Sequence, residues 1–305
     1  MTNLRASTPA GDRQPFAAAP PADRLATTFA ACARDNRAAL VTFVTAGDPD
    51  LDRMPSILAA LVAGGADIIE VGMPFTDPMA DGPAIQAGNI RSLRSGTTLV
   101  AVLAAVAAFR ATDALTPVIL MGYFNPILSF GPERFAAAAA AAGLDGTIVV
   151  DLPPEEDAEL APHLAAHGLH NIRLATPTTD AARLPAVVVG ASGFVYYVAV
   201  AGITGAGSAA AADIASAVAR IKAATPLPVA VGFGIRTPAQ AAAIAVHADA
   251  VVVGSVIVEL IGAAAAARAN DLPEQVEAFV AGLAAAVRGA RRATAVNPAR
   301  LEAAA

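Results

Sequence analysis

Short apolar runs recur along the chain, and each is followed by a small or polar residue and then by an alanine-rich stretch. Unbroken apolar runs are typical of strands buried on both faces, whereas alanine favours helices. The pattern predicts eight strands, at Leu40–Thr45, Asp67–Gly72, Val118–Tyr123, Thr147–Asp151, Asn171–Ala175, Phe194–Val200, Val229–Gly232 and Ala250–Gly254. The clearest predicted helices are Met54–Ala63, Leu99–Phe109, Pro132–Ala142, Glu155–His167, Pro238–Val246 and, last, Pro273–Arg288.

Eight strand–helix units in a chain of this length predict an α/β fold, a single (β/α)8 TIM barrel with extra loops at the C-terminal face of the strands. A doubly wound open sheet is the alternative. However, the residues after the first strand, Ala46-Gly47-Asp48-Pro49, lack the glycine fingerprint of that fold. We predict the barrel over residues 25–292, with flexible tails at 1–24 and 293–305.

Composition narrows the class of protein. Of 305 residues, 56% are hydrophobic and 15% charged, which favours a compact fold over disorder. The net charge of −6 gives no general attraction to nucleic acid or to an anionic membrane. Cys32 is the only cysteine, so an internal disulfide is impossible. The uncharged stretch Leu184–Ala212 is interrupted by glycines, which argues against a membrane span.

One carboxylate interrupts an apolar strand. Glu70 lies within Ile68-Ile69-Glu70-Val71, near the C-terminal end of a strand, where the active sites of this fold lie. Burial would raise its pKa, which suits a residue that must give and take a proton near neutral pH. The alternative is a structural ion pair with an arginine.

The loop after Glu70 carries two more carboxylates, Asp77 and Asp81. Three prolines and a glycine exclude a regular helix from Pro74 to Pro83, so this loop is expected to cover the barrel mouth. We favour a functional role for Asp81. Asp77 precedes a proline and is equally well explained as a turn residue.

Glycines after the last two predicted strands suggest an anion site. Gly232, Gly234, Gly254 and Ser255 stand where this fold commonly binds phosphate through backbone N–H groups. The loop 201–208 after the sixth strand contains three glycines and a threonine, and we interpret it as a lid over the ligand. A simple connector is the alternative.

Residue types that are missing exclude other chemistries. Lys222 is the only lysine and precedes the seventh strand, so a lysine Schiff base in the site is excluded. His163 and His167 have a spacing that could bind a metal, but no acidic third ligand is evident. We therefore interpret them as part of a solvated helix face and expect no metal site.

Several motifs over about 25–288 closely resemble the tryptophan synthase alpha subunit family. The matching segments are Phe43 to Pro49, Glu70 to Gln86, Met121 to Pro126, Asp151-Leu152-Pro153, Gly202-Ile203-Thr204-Gly205 and Gly232-Phe233-Gly234-Ile235. Thr76 replaces the family's usual serine, and the lid after Gly205 reads Ala206-Gly207-Ser208 in place of the common pattern.

The resemblance implies cleavage of indole-3-glycerol phosphate to indole and glyceraldehyde 3-phosphate. In the family, Glu70 corresponds to the general acid/base, Asp81 to the carboxylate that binds the indole N–H, and Tyr196 to an active-site tyrosine. The implied substrate contacts are Phe43, Tyr123, Thr204 and Phe233, and the implied phosphate site is Gly205, Gly232, Gly234, Gly254 and Ser255.

The resemblance also implies a partner, a cytoplasmic beta subunit that binds pyridoxal phosphate and receives indole within an α2β2 complex. Asp77, Pro78, Asn125 and Pro126 correspond to the interface side, and this chain would need no cofactor. Two alternatives remain: a stand-alone lyase that releases indole, and a chain that regulates a beta subunit without turnover. Another phosphate-binding barrel fits the 70–86 motif poorly.

Overall fold

The structure is a computed structural model that describes residues 23–199, 207–232 and 234–296. The strands are β1 Ala39–Thr45, β2 Ile68–Gly72, β3 Val118–Gly122, β4 Gly146–Val149, β5 His170–Asn171, β6 Arg173–Ala175, β7 Val195–Val198, β8 Val229–Gly232 and β9 Ala250–Val253. The helices are α1 Arg24–Arg34, α2 Met54–Ala63, α3 Pro83–Arg94, α4 Leu99–Arg110, α5 Phe124–Phe130, α6 Pro132–Ala142, α7 Ala161–Ala166, α8 Leu184–Val188, α9 Gly207–Ala224, α10 Pro238–Ala245, α11 Ser255–Ala266 and α12 Leu272–Val296.

The sheet closes on itself as predicted. All the described strand pairs are parallel, and β1 pairs with both β2 and β9, which joins the first strand to the last. The order around the sheet is β5-β4-β3-β2-β1-β9-β8-β7-β6. β5 and β6 are two halves of the predicted fifth strand, and the Ile172 N–H still donates to the Thr147 carbonyl between them. The predicted (β/α)8 barrel is therefore confirmed.

Side chains alternate between the barrel interior and the helical layer. Val41, Ile68, Ile119 and Ile148 pack inside the barrel, while alternate residues such as Leu40 face the helices. Helix α1, which the sequence analysis did not predict, places Leu25, Phe29 and Cys32 against this interior cluster and covers its lower end.

The N-terminal end of the barrel shows a fourfold repeat of one hydrogen bond. A polar side chain one to three residues before every second barrel strand accepts a backbone N–H at or near the start of the strand before it. The pairs are Asp67 with Leu40, Asp145 with Val118, Ser192 with Asn171 and Asp249 with Val229, at 2.7–2.9 Å. Arg37, Arg110 and Lys222 neutralise the three aspartates. This end of the barrel is therefore built for stability.

Two predicted elements were wrong in detail. The predicted helix Glu155–His167 is a 3-10 helix at Pro154–Glu159 followed by the short α7. Pro162 lacks an N–H group and so belongs in the first turn of a helix, which starts α7 anew. The last helix is longer than predicted, ending at Val296 rather than Arg288.

Within the described ranges, no single helix is long and apolar enough to cross a membrane; only α3 and α4 together, bent by 96°, have the length and composition.

Candidate active site

Glu70 is buried inside the barrel, and the described part of the chain provides no counter-ion for it. Its side chain belongs to the inward-facing positions of β2, it is 1% exposed, and its Oε2 atom has no hydrogen-bond partner among the described residues. The predicted alternative, an ion pair with an arginine, is not observed there. Burial raises the pKa of Glu70 to about 8. The carboxyl group is therefore largely protonated at neutral pH, and it can act first as an acid.

Two aromatic rings lie beside Glu70 because glycines make room for them. A Cβ on Gly72 would lie 2.4 Å from the Phe43 ring, and a Cβ on Gly232 would lie 2.5 Å from the Tyr196 hydroxyl. Burial and the nearby Glu70 carboxylate raise the pKa of Tyr196 well above its usual value. Tyr196 is consequently neutral and does not compete with Glu70 as a base.

Asp81 is held by two neutral donors. The Tyr123 hydroxyl donates to its Oδ1 at 2.9 Å and the Asn89 amide donates to its Oδ2 at 2.8 Å. The same Tyr123 oxygen accepts the Ala80 N–H at 3.0 Å, which ties the loop to the end of β3. Partial burial raises the pKa of Asp81, while the two side-chain hydrogen bonds lower it.

Asp77 and Asp81, which spacing could not separate, have different surroundings. Asp77 is exposed and accepts the neighbouring Thr76 hydroxyl at 2.5 Å, and its carbonyl accepts the Met79 N–H. This is a local turn. Of the two, Asp81 is the one whose carboxylate is tied to the barrel strands.

An apolar wall lies near the C-terminal ends of β3, β4, β6 and β7. Its members are partly exposed and packed on the interior cluster. They are Met121, Val150, Leu174 and Val198. Near this wall, the Phe75 and Tyr123 rings stack with centroids 5.1 Å apart. A flat apolar ligand could bind between these surfaces.

The proposed phosphate loops lie after β8 and β9. Gly234 has a φ of +77°, a conformation that favours glycine. Gly254 precedes α11, whose start has no side-chain cap, so its first N–H groups are open to an anion. By contrast, α10 is closed by a capping box between Thr237 and Gln240. Of these two helices, α11 is thus the one whose N-terminus offers unpaired donors.

The polar contacts that α3 makes with Asp81 and Asp48 were not predicted from the sequence. Asn89 is 3% exposed, and Arg91 makes a two-pronged ion pair with Asp48 at 2.7 Å for each bond. Both come from α3, which has no motif to mark them. A loop carboxylate followed one or two helical turns later by an amide only weakly predicts a hydrogen bond between them, because the contact depends on how the helix packs.

Some predicted positions lie outside the described residues: Thr204, Gly205 and Phe233. Phe43, Glu70, Asp81, Tyr123, Tyr196, Gly232, Gly234, Gly254 and Ser255 are all at or near the C-terminal face. Within the described part of the chain, no group of three or more His, Cys, Asp or Glu side chains could hold a metal ion.

Comparison with known proteins gives consistent matches. The family model for the tryptophan synthase alpha chain matches residues 29–288. The tryptophan synthase alpha chain of Rhizorhabdus wittichii is 62% identical over 267 residues, covering 88% of this chain and 97% of that protein. That of Novosphingobium aromaticivorans is 58% identical over 269 residues, covering 88% and 98%. The crystal structure of tryptophan synthase subunit alpha from Legionella pneumophila superimposes with a TM-score of 0.81 at 39% identity, covering 87% of this chain and 98% of that one.

Proposed function

The chain belongs to the tryptophan synthase alpha chain family, lyases that cleave indole-3-glycerol phosphate in tryptophan biosynthesis, and we propose that its Glu70 and Asp81 carry that reaction. The observation that supports this most is the buried Glu70 carboxyl group at the barrel mouth, whose Oε2 atom has no hydrogen-bond partner among the described residues and whose pKa is raised to about 8.

Glu70 would act twice in one turnover. Its protonated form gives a proton to C3 of the indole, which makes the ring nitrogen cationic. The resulting carboxylate then takes the proton from the hydroxyl on the carbon attached to the ring. The bond between that carbon and C3 breaks, its electrons return to the ring, and indole and glyceraldehyde 3-phosphate are released. The proton balance is zero, so Glu70 ends protonated as it began.

Asp81 would stabilise the charge that develops on the ring nitrogen. A carboxylate held in place by Tyr123 and Asn89 needs little reorganisation when the indole N–H becomes acidic. Neutral donors suit this role, because a cation beside Asp81 would cancel the field that the intermediate needs.

The remaining residues would bind the two ends of the substrate. Phe43, Tyr123 and Phe233 would contact the indole, with Tyr196 beside Glu70 and Thr204 closing over the site. Backbone N–H groups at Gly205, Gly232, Gly234, Gly254 and Ser255 would bind the phosphate. The uncapped start of α11 supports this assignment.

We expect this chain to need no cofactor of its own, with pyridoxal phosphate bound by the beta subunit. The sole lysine, Lys222, pairs with Asp249 at 2.8 Å at the opposite end of the barrel from Glu70. A lysine Schiff base at the site is therefore impossible.

A beta subunit would dock on the mouth side, in an α2β2 complex in the cytoplasm. Met79 is 81% exposed beside Asp77 and Pro78, and Leu128 is 51% exposed on α5, near Asn125 and Pro126. Exposed apolar side chains around a polar rim are typical of an interaction surface.

The test is indole release from indole-3-glycerol phosphate by the purified chain, with and without a beta chain from a relative. Glu70→Gln should lose about 100-fold or more in kcat, because the amide cannot transfer the proton. The same substitution at the exposed Glu156 is the control and should change nothing. Glu70→Gln turnover within about tenfold of wild type would refute the assignment. Strong activation by the beta chain supports the complex, whereas high unaided turnover supports a stand-alone lyase.

A further inference from the structure

Helix α3 is held to the barrel by polar contacts. A helix of this position normally buries an apolar stripe. The buried residues of α3 are instead Gly88, Asn89 and Ser92. Ser92 donates to the Ala46 carbonyl, and Asn89 donates to Asp81. Hydrogen bonds fix a helix more specifically than apolar packing does, because their geometry allows little sliding.

Gly88 brings α3 into close contact with two other elements. A Cβ at this position would lie 2.9 Å from the Thr45 hydroxyl oxygen, 2.9 Å from the Val258 side chain and 3.1 Å from an Asp48 carboxylate oxygen. Thr45 and Asp48 belong to the end of β1 and its loop, and Val258 to the first turn of α11. The contact therefore brings the α3 backbone at Gly88 directly against the Val258 side chain of α11.

Arg91 makes the same connection by hydrogen bonds. Its Nε and Nη2 atoms each donate to Asp48 at 2.7 Å, and Nη2 also donates to the Val258 carbonyl at 3.3 Å. The Asp48 side chain is fully buried, so the pair is a fixed contact and not a loose surface one. A planar guanidinium can bind two carboxylate oxygens and a carbonyl together, whereas a lysine ammonium cannot hold that geometry.

We propose that Arg91 is a positioning residue for the reaction, which fixes the Asp81 carboxylate at a set distance from the phosphate-binding start of α11. Asn89, which holds Asp81, lies in the middle of α3 next to Gly88 and two residues before Arg91, and Gly88 and Arg91 hold the helix against Val258, one turn into α11. The inference rests on the proposed function, in which Asp81 binds the indole and α11 the phosphate. In this proposal neither Arg91 nor Asp48 contacts the substrate.

The proposal makes a distinctive prediction about binding. If α3 only stabilised the fold, its loosening would weaken all ligands or none. If it sets the distance between two subsites, separate fragments should bind as before, and only a molecule that spans both should bind worse.

Arg91→Lys is the main variant, because it keeps a positive charge beside the buried Asp48 but loses the planar guanidinium that binds both carboxylate oxygens. Arg37→Lys is the matched control, since Arg37 makes the same two-pronged bond to Asp67, at 2.8 and 2.9 Å, at the opposite end of the barrel. Calorimetry would measure the Kd of indole, of inorganic phosphate and of the non-cleavable indole-3-propanol phosphate for the full chain.

For Arg91→Lys we expect an affinity loss of about tenfold for the linked analogue, with both fragments within about twofold of wild type, and a fall in kcat. Arg37→Lys should have the same Tm as Arg91→Lys and leave all three affinities unchanged. Equal loss for the fragments and the linked analogue, or no loss for any of them, would overturn the proposal.

Gly88→Ala tests the same contact without touching a charge, and it decides the matter if Arg91→Lys does not fold. It should show the same selective loss for the linked analogue; an unchanged affinity for that analogue would overturn the proposal. If wild type bound neither fragment, the proposed function itself would fail, and the inference with it. Fragment binding by wild type, together with unchanged binding of the analogue by both variants, would refute the inference alone.

Discussion

At the scale of single residues, the site depends on how strongly each carboxylate is desolvated and what replaces the lost water. Glu70 is fully buried with no counter-ion in the described ranges, and burial raises its pKa to about 8. Asp81 is half-buried; burial raises its pKa, while the hydrogen bonds from Tyr123 and Asn89 act in the opposite direction and favour the ionised form. One carboxyl group is therefore protonated at neutral pH and the other is suited to remain an anion.

The Glu70 pKa predicts the pH dependence of turnover. Because Glu70 must start protonated, kcat/KM for indole-3-glycerol phosphate should be constant at lower pH and fall above about pH 8. A pH profile from about 6 to 9.5 measures this, with product formation followed as indole. A rise in kcat/KM across the same range would show that the ionised form starts the reaction.

The same pKa predicts a change in stability. Between the ordinary value of 4.5 and about 8, folded Glu70 holds a proton that the unfolded chain has released. The stability from this group is fully present below pH 4.5 and is lost as pH rises through about 8. The unfolding free energy of wild type relative to Glu70→Gln should therefore fall by a few kcal/mol, at roughly 1.4 kcal/mol per pH unit. Urea unfolding at pH 5, 7 and about 8.5 measures it, and a constant difference would contradict the pKa.

Which residues could be predicted depends on how local their signal is. Glu70 stands out because a charge within Ile68-Ile69-Glu70-Val71 conflicts with the apolar pattern around it. Asn89 and Arg91 conflict with nothing, since polar residues are common on helices. Their partners lie 8, 43 and 167 positions away, so only the folded chain could identify them.

At the scale of elements, strands are anchored at one end and open at the other. At the N-terminal end, Asp145 accepts the Val118 N–H and pairs with Arg110 and Arg24. At the C-terminal end, Gly72, Gly232 and Gly254 leave space that aromatic rings and a ligand can use. Stability supplied at the N-terminal end of the barrel can offset the cost of burying the Glu70 carboxyl group near the other end.

Asp145→Asn should therefore be among the more destabilising aspartate substitutions. It would leave two arginines without their counter-ion and weaken a strand hydrogen bond, at a cost of about 3 kcal/mol. Asp52→Asn, at an exposed residue with no hydrogen bond described, is the control and should stay within about 0.5 kcal/mol of wild type. Chemical denaturation compares the two, and equal stability would show that the repeated contact adds little.

At the scale of the whole molecule, closure connects the two ends of the sequence. β1 pairs with β9, and α12 packs against α2 and α10 through a face that buries five apolar side chains, Leu272, Val276, Val280, Leu283 and Val287. Five buried side chains contribute roughly 10 kcal/mol, which is comparable to the entire stability of a typical domain, at about 5–15 kcal/mol.

The sequence by itself determined the repeating units. Apolar runs, alanine-rich stretches and glycines after strands are local features, and local burial is enough to produce them. The same is true of the carboxylate that breaks a strand pattern. They gave the order of the strands and the end of the barrel at which chemistry would lie.

Tertiary structure decided the rest. It closed the sheet between strands separated by most of the chain, divided the fifth strand at Ile172, made Asp81 rather than Asp77 the inner carboxylate and set α3 on polar contacts with α11. These outcomes depend on which distant groups come within hydrogen-bond distance, and that distance is fixed only when all strands and helices are packed together. Local sequence patterns do not encode these long-range contacts, because the same residues would give the same pattern on an exposed helix.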